Sequence, residues 1–277
     1  MAFMNLPETM TTIRDAAFVA YTSLLFGSGA WWYLLRKKKG KYFSVADAEE
    51  GAQAEAQAET DLSVLPCIRN RRSVFPKKFL PNPPPLDDAI IRSLLDAALW
   101  GPFHGKCFNG CQHPAKFIVL GKQNMVEMQE LTLRYYDKNW KDVGWGSGKR
   151  GSEEEYIAWR KAAQEEITGR WAPCSHMIAI IMRRQTGPKR LPEWEEAAAV
   201  ACATHNMHLQ STKFPQLACY WSSWHDAARD SSEMKQFLNM GPEDKCFGFF
   251  IIAQVNKSAC KDRRKRDKSL IAVEWRS

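Results

Sequence analysis

Two rhythms of apolar residues run through this chain and divide most of it into helices and strands. Behind Asp87 and Asp88, the positions Ile90, Ile91, Leu94, Leu95, Ala98 and Leu99 recur every three or four residues, the spacing of one helix face. Residues 127–140 and 153–171 keep the same rhythm and predict two amphipathic helices, parted by a glycine-rich stretch over 144–151. Residues 195–210 predict a helix whose first half, Ala197 to Cys202, is so apolar that it belongs in the middle of the fold. Short apolar runs at 116–120, 176–182, 217–221, 247–255 and 270–275 predict strands. No internal repeat is visible. Strands and helices are interspersed without strict alternation, which predicts an α+β fold with a mixed, largely antiparallel sheet and a central helix.

The first sixty residues follow neither rhythm. From Ala16 to Leu35, twenty residues pass without a charge, enough at helical rise to cross a hydrocarbon core of roughly 30 Å. Trp31, Trp32 and Tyr33 close that stretch, where an interfacial aromatic belt sits, and Arg36, Lys37, Lys38 and Lys39 follow. A cleaved signal peptide has its positive charge before the apolar run, the reverse of the order here. The segment therefore predicts a single transmembrane helix preceding the fold, with the rest of the chain on the cytosolic or matrix side. Thr22, Ser23, Gly27, Ser28 and Gly29 dilute its hydrophobicity. Residues 44–61 are rich in Ala, Glu and Gln with no apolar period, the composition of a linker. The expected organisation is an anchor with its basic flank over 1–40, a linker over 41–61, and a folded domain over 62–277.

Composition narrows the class. Hydrophobic residues make up 45% of the 277 and charged residues 25%, as in ordinary globular proteins. The net charge of +8 is concentrated in 36–39 and 261–268 rather than spread over a surface, so no nucleic-acid footprint is predicted. Eight cysteines in a chain of this length do not make a disulfide scaffold. Those inside apolar runs, such as Cys202 and Cys219, read as small buried hydrophobes in a reducing compartment.

Several short segments then fall into one order. Arg71-Arg72-Ser73 opens the domain ahead of Val74-Phe75 and a proline turn. A helix follows and ends in Gly101-Pro102-Phe103-His104-Gly105. Pro114-Ala115-Lys116-Phe117-Ile118-Val119 comes next, then the alanine-rich helix with His205-Asn206-Met207, then Trp221-Ser222-Ser223, and last Asp244-Lys245 leading into Gly248-Phe249-Phe250-Ile251. In this order the segments resemble the FMN-dependent nitroreductase-like superfamily, and most closely its small bacterial branch with a Pro-x-His turn. The likeness covers about 62–275. It implies a three-layer α/β/α sandwich and a homodimer with two FMN sites at the subunit interface. It also implies ping-pong chemistry in which NADH or NADPH reduces the flavin and the flavin reduces a second substrate.

The resemblance also implies a set of binding residues. Arg71, Arg72 and Ser73 would contact the flavin, and arginine suits its phosphate because the planar guanidinium gives bidentate, charge-assisted contacts. His104 would reach the flavin of the partner subunit, and Trp221, Ser222 and Ser223 would lie beside the ring. A basic residue near the C-terminus meets the phosphate in such proteins, and Arg263 and Arg264 stand in the right region. No dedicated catalytic residue is implied, because the cofactor carries the difficult step. Three departures bear on the pocket: residues 214–220 contain no glycine, Trp100 replaces a basic residue, and Ala115 replaces an aromatic one.

Alternative readings remain. His104, Cys107, Cys111 and His113 offer four residues of zinc-ligand type within ten, but not at the spacing of a paired knuckle, so no metal site is predicted. The anchor and the altered flavin positions also suit a non-enzymatic accessory subunit of a membrane complex. A third reading is an iodotyrosine-deiodinase-like dehalogenase, which likewise joins an anchor and a linker to such a domain. Glu155 and Tyr156 lie in its lid region, whereas Trp221-Ser222-Ser223 is unlike that branch.

Overall fold

The computed structural model describes residues 63–105, 113–146, 148–188, 190–256 and 272–276. The segment from Ala16 to Leu35, the linker, Cys107, Cys111, Arg263 and Arg264 lie outside the described residues. The chain divides after Ser63, and every element below belongs to the unit Val64–Ser277.

In chain order the elements are α1 (Pro66–Asn70), α2 (Asp88–Ala98), β1 (Ala115–Leu120), α3 (Lys122–Val143), α4 (Glu153–Glu166), β2 (His176–Met182), α5 (Glu193–Gln210), β3 (Leu217–Ser222), α6 (Asp226–Arg229), α7 (Ser232–Phe237) and β4 (Lys245–Gln254). The sheet order is β1-β2-β4-β3, and every pairing is antiparallel. A further strand was expected at 270–275. In its described part, 272–275, no strand forms, and Val273 and Trp275 are exposed.

The central strands explain the layering. In β2, Ile178, Ile180 and Met182 pack with Ile91, Leu94, Val200, Ala203 and Met207 of α2 and α5. Its alternate residues Met177, Ala179 and Ile181 pack on the opposite side with Met125, Met128 and Leu133 of α3. Strand β4 divides the same way, Phe250 and Ile252 to one side and Phe249, Ile251 and Ala253 to the other. A strand buried on both faces reads as one unbroken apolar run, which is how β2 appears in the sequence. Two helical layers therefore sandwich the sheet, and α5 packs both on it and along α2.

Local chemistry sets the helix ends. The Asp87 carboxylate accepts from the Ala89 amide at 2.8 Å and starts α2. The Ser152 hydroxyl accepts from the Glu155 amide at 3.3 Å while the Glu155 carboxylate accepts from the Ser152 amide at 3.0 Å, a capping box that opens α4. Helix α3 begins five residues before the expected start at 127, behind Gly121, which offers no side-chain cap. The helix expected over 153–171 is regular only to Glu166; Ile167–Trp171 widens into a π-turn that rolls Ile167 and Trp171 into the core. Gly101 ends the α2 region against α5. A Cβ there would meet the Ala203 Cβ at 2.8 Å, so both small residues let the two helices approach closely.

Candidate active site

After α1, the segment from Arg71 to Phe79 straps the open edge of the sheet. The Val74 amide donates to the Cys219 carbonyl of β3 at 3.2 Å, and the Leu80 amide donates to the Gln254 carbonyl of β4 at 2.8 Å. Val74, Pro76 and Phe79 are buried, and the Phe75 ring lies 5.1 Å from that of Tyr220. From the helical layer, His208 of α5 places its Nε2 2.9 Å from the Arg72 carbonyl. The Arg71 charge lies close enough to depress the pKa of both His205 and His208. For each, burial is the larger cause, and His208 is pushed down to about 4.

A cleft of about 300 Å³ opens on one side of the strap. Arg72, Lys77, Lys78 and Arg170 line it with Ser73, Val74 and Phe75. Arg170 comes from the π-turn, pairs with Glu166 and packs over the Trp171 ring at 5.4 Å. Arg72 also borders a second depression, of about 470 Å³, with Lys213, Ser211 and Thr212 at the end of α5. Five cations, Arg72, Lys77, Lys78, Arg170 and Lys213, thus lie on or beside this extended segment, an arrangement that attracts an anion such as a phosphate monoester.

Two residues beyond Cys219 on β3, roughly 7 Å along the strand, comes Trp221. Its indole donates to the Phe247 carbonyl of β4 at 2.7 Å and its ring is 39% exposed. The strand ends at Ser222, and Trp224 turns inward with φ of 61°, donating its indole N–H to the Thr132 hydroxyl at 2.9 Å. A register shift in the β2–β4 ladder falls here, with Gly248 at φ of 103° directly under Ser222. A Cβ on Gly248 would stand 2.0 Å from the Ser222 carbonyl oxygen. Gly248→Ala must both strain the backbone and push Ser222 and Ser223 outward. We expect a loss of about 2–4 kcal/mol of stability, read as a lower midpoint in urea unfolding.

The sequence-derived residues are therefore partly gathered. Arg71, Arg72 and Ser73 lead into Val74, whose amide bonds to Cys219 of β3, while Trp221 and Ser222 end that strand and Ser223 follows it. His104 lies elsewhere, 3.3 Å from Glu195 in the first turn of α5 and 82% exposed on its side chain. Glu195 is ten residues before His205, about 15 Å along the helix axis, so one subunit does not bring His104 to the strap. His113, the other histidine of that loop, accepts from the Ala115 amide at 3.0 Å through Nδ1. Sequence reasoning missed Lys77, Lys78, Arg170 and His208. The two lysines were visible as an adjacent basic pair just after the arginines. Arg170 and His208 carry no local signal, because a π-turn and a buried helix face bring them in.

Comparison with known proteins matches this architecture. Residues 68–253 fit the model of the nitroreductase family. The fold is similar to that of a nitroreductase with bound FMN from Bacteroides fragilis, at 17% identity and TM-score 0.52, over 76% of this chain and 97% of that one. It is also similar to a nitroreductase-like family protein from Bacillus cereus, at 16% identity and TM-score 0.52, over 75% and 94%. A third is the FMN-dependent nitroreductase NfnB from Mycobacterium smegmatis in complex with NADPH, at 12% identity and TM-score 0.51, over 81% and 99%. No curated protein matches the sequence. An α+β sandwich built on one antiparallel sheet, matched across two thirds of its length by a single family model, places this chain in the nitroreductase family.

Proposed function

We propose that this protein is a membrane-tethered, FMN-dependent oxidoreductase that takes hydride from NADH or NADPH and reduces a quinone, a nitroaromatic or a similar acceptor. The observation that carries this reading is the cationic strap: Arg71, Arg72 and Ser73 lie along the sheet edge of a nitroreductase-family fold. The residues fit the cofactor. Its phosphate is a dianion, and Arg72, Lys77, Lys78 and Arg170, the last paired with Glu166, line the adjoining cleft. Bound FMN supplies the chemistry, accepting hydride and delivering it onward. The chain's own part is to bind, orient and shield. In this reading Arg71 and Arg72 neutralise the phosphate and present a positive field to the ring, and Trp221, Ser222 and Ser223 wall the ring at the end of β3; family resemblance alone adds Arg263 or Arg264, which lie outside the described residues.

The same reading includes a homodimer. On and beside α5, Trp194 is 69% exposed and Trp100 84%, and Ala198 and Cys202 are exposed between the helix turns. An exposed apolar stripe on the central helix is the surface a second copy covers. His104 lies on this face, lining a groove with Phe103, Trp194 and Cys202, as a residue that crosses to a partner's flavin must. Purified protein supplied with FMN should oxidise NADPH in the presence of a short-chain quinone. Absence of turnover with every quinone and nitroaromatic tried, despite bound flavin, contradicts the oxidoreductase assignment.

The tether rests on the stretch from Ala16 to Leu35. Among the described residues, no helix is long and apolar enough to cross a membrane, so the prediction concerns that stretch alone. The full chain should stay with the membrane pellet through an alkaline carbonate wash, and Leu24→Asp with Leu25→Asp should release it. Each such charge at a helix centre costs about 3 kcal/mol of insertion. Release of the unaltered chain contradicts the anchor.

A second reading, an accessory subunit of a membrane complex without activity, draws on β3. There Tyr220 and Trp221 stand with no glycine nearby on the strand, and Trp221 is fixed on the Phe247 carbonyl. Inability to take up FMN favours it.

A further inference from the structure

We propose that His208 is a positioning residue for the anion-binding strap: its Nε2–H, held against the Arg72 carbonyl, fixes Arg71, Arg72 and Ser73 in their binding arrangement before any ligand arrives. This rests on the FMN reading above and names the device that preorganises its site.

Helix α1, which leads into the strap, buries no residue, and the Val74 and Leu80 amides tie the strap to β3 and β4. On the inner side the Arg72 carbonyl meets His208 Nε2 at 2.9 Å. The histidine is itself well fixed. It is 7% exposed, its ring meets Phe250 of β4 edge-on at 5.5 Å, and its backbone carbonyl accepts from the Ser211 hydroxyl at 2.7 Å.

Chemistry decides the tautomer. A carbonyl oxygen only accepts, so Nε2 must carry the hydrogen. One donor is all the contact requires, and the surroundings keep the ring neutral. Burial disfavours the imidazolium, and Arg71 and His205 repel it, while the carbonyls of Arg72 and Cys219 pull the other way. The donor therefore persists across ordinary pH. A leucine would fill the same apolar site against Met207, Cys219 and Phe250 without the cost of burying a ring N–H. What a leucine cannot do is hold the carbonyl. Once the backbone is fixed, the guanidinium groups on either side are presented rather than searching, and less ordering entropy is lost when an anion binds.

The test compares His208→Gln with His208→Asn. Glutamine places an N–H near the position of Nε2, whereas asparagine, one carbon shorter, reaches only about as far as Nδ1. FMN is titrated into each full-length apo-protein, with flavin fluorescence reporting binding and the melting temperature of the ligand-free protein measured in parallel. Glutamine should keep the wild-type affinity within about threefold, and asparagine should weaken it about tenfold, because the ligand must then order the strap itself. The melting temperatures of the two variants should lie close together. Equal affinities for the two variants overturn the inference. So does an affinity loss that merely follows the melting temperature, since that marks a structural role alone. If the wild type binds FMN and the asparagine variant binds equally well, only the role of His208 falls. If the wild type does not bind FMN, the oxidoreductase reading falls and this inference with it.

Discussion

Replacing Arg71 and Arg72 together by alanine is expected to weaken FMN binding by about a hundredfold or more. Each charge-assisted hydrogen bond to a phosphate contributes about 1.5–3 kcal/mol, and roughly 1.4 kcal/mol is a factor of ten. Two arginines on one short strap therefore account for at least two powers of ten, even when part of the loss is recovered by Lys77, Lys78 and Arg170 around the cleft. The fold should survive, because neither side chain belongs to the buried core, whereas Val74, Pro76 and Phe79 do. The melting temperature of the ligand-free double variant should stay near that of the wild type. Arg71→Lys with Arg72→Lys should lie between, since an ammonium keeps the charge and loses the bidentate fork. Unchanged FMN affinity in the double alanine variant contradicts the placement of the phosphate at the strap.

A second substitution acts on the fold rather than the ligand. Glu196 of α5 is fully buried, at 0% exposure, and pairs with Arg184 just beyond the end of β2. The Gln185 amide also donates to its carboxylate, at 3.4 Å. This buried pair pins the first turn of the central helix to the end of the central strand, close to where Arg184 donates its amide to Asp244 at 3.1 Å. Glu196→Ala leaves a guanidinium that is only 10% exposed without its counter-ion. Breaking a buried pair from one side costs about 3–5 kcal/mol. For a domain of this size that lowers the melting temperature by roughly ten degrees. Truncating both partners, Glu196→Ala with Arg184→Met, should recover much of the loss, because no uncompensated charge is then buried. A double variant as unstable as the sum of the singles contradicts the pairing account.

Much of this fold is legible in the residues, for identifiable reasons. Strand β2 announces itself because a strand covered on both faces is apolar throughout, and α2 because Asp87 caps it ahead of a clean helical stripe. The centrality of α5 follows from its run of small apolar residues, which only a helix packed on several sides needs. What the sequence hides depends on distant contacts. The start of α3 has no side-chain cap, and the π-turn at Ile167–Trp171 exists because Trp171 must reach Trp224 and Tyr220, with ring centroids at 5.3 and 6.1 Å. The sheet was expected to be mixed but largely antiparallel, and its described strands are antiparallel throughout; strand direction is a property of connections, not of local pattern.

The candidate site divides in the same way. Arg71-Arg72-Ser73 and Trp221-Ser222-Ser223 are nearly 150 residues apart, and one backbone hydrogen bond, Val74 to Cys219, ties the first segment to the strand that ends in the second. Motif order suggested both segments, but only the fold shows that both attach to β3. His208 could not be picked from its neighbours His205-Asn206-Met207, because its role depends on a carbonyl 136 residues away. His104 stands beside Glu195, and in the proposed reading it meets a flavin only through a second copy of the chain.

The most direct test of the central claim is a titration of FMN into the purified full-length protein, followed by anaerobic addition of NADPH. The account predicts saturation at one flavin per chain, with quenched flavin fluorescence and loss of the flavin's visible absorbance once NADPH is added. A protein that remains colourless after FMN is supplied and desalted, with no NADPH-dependent change, contradicts it.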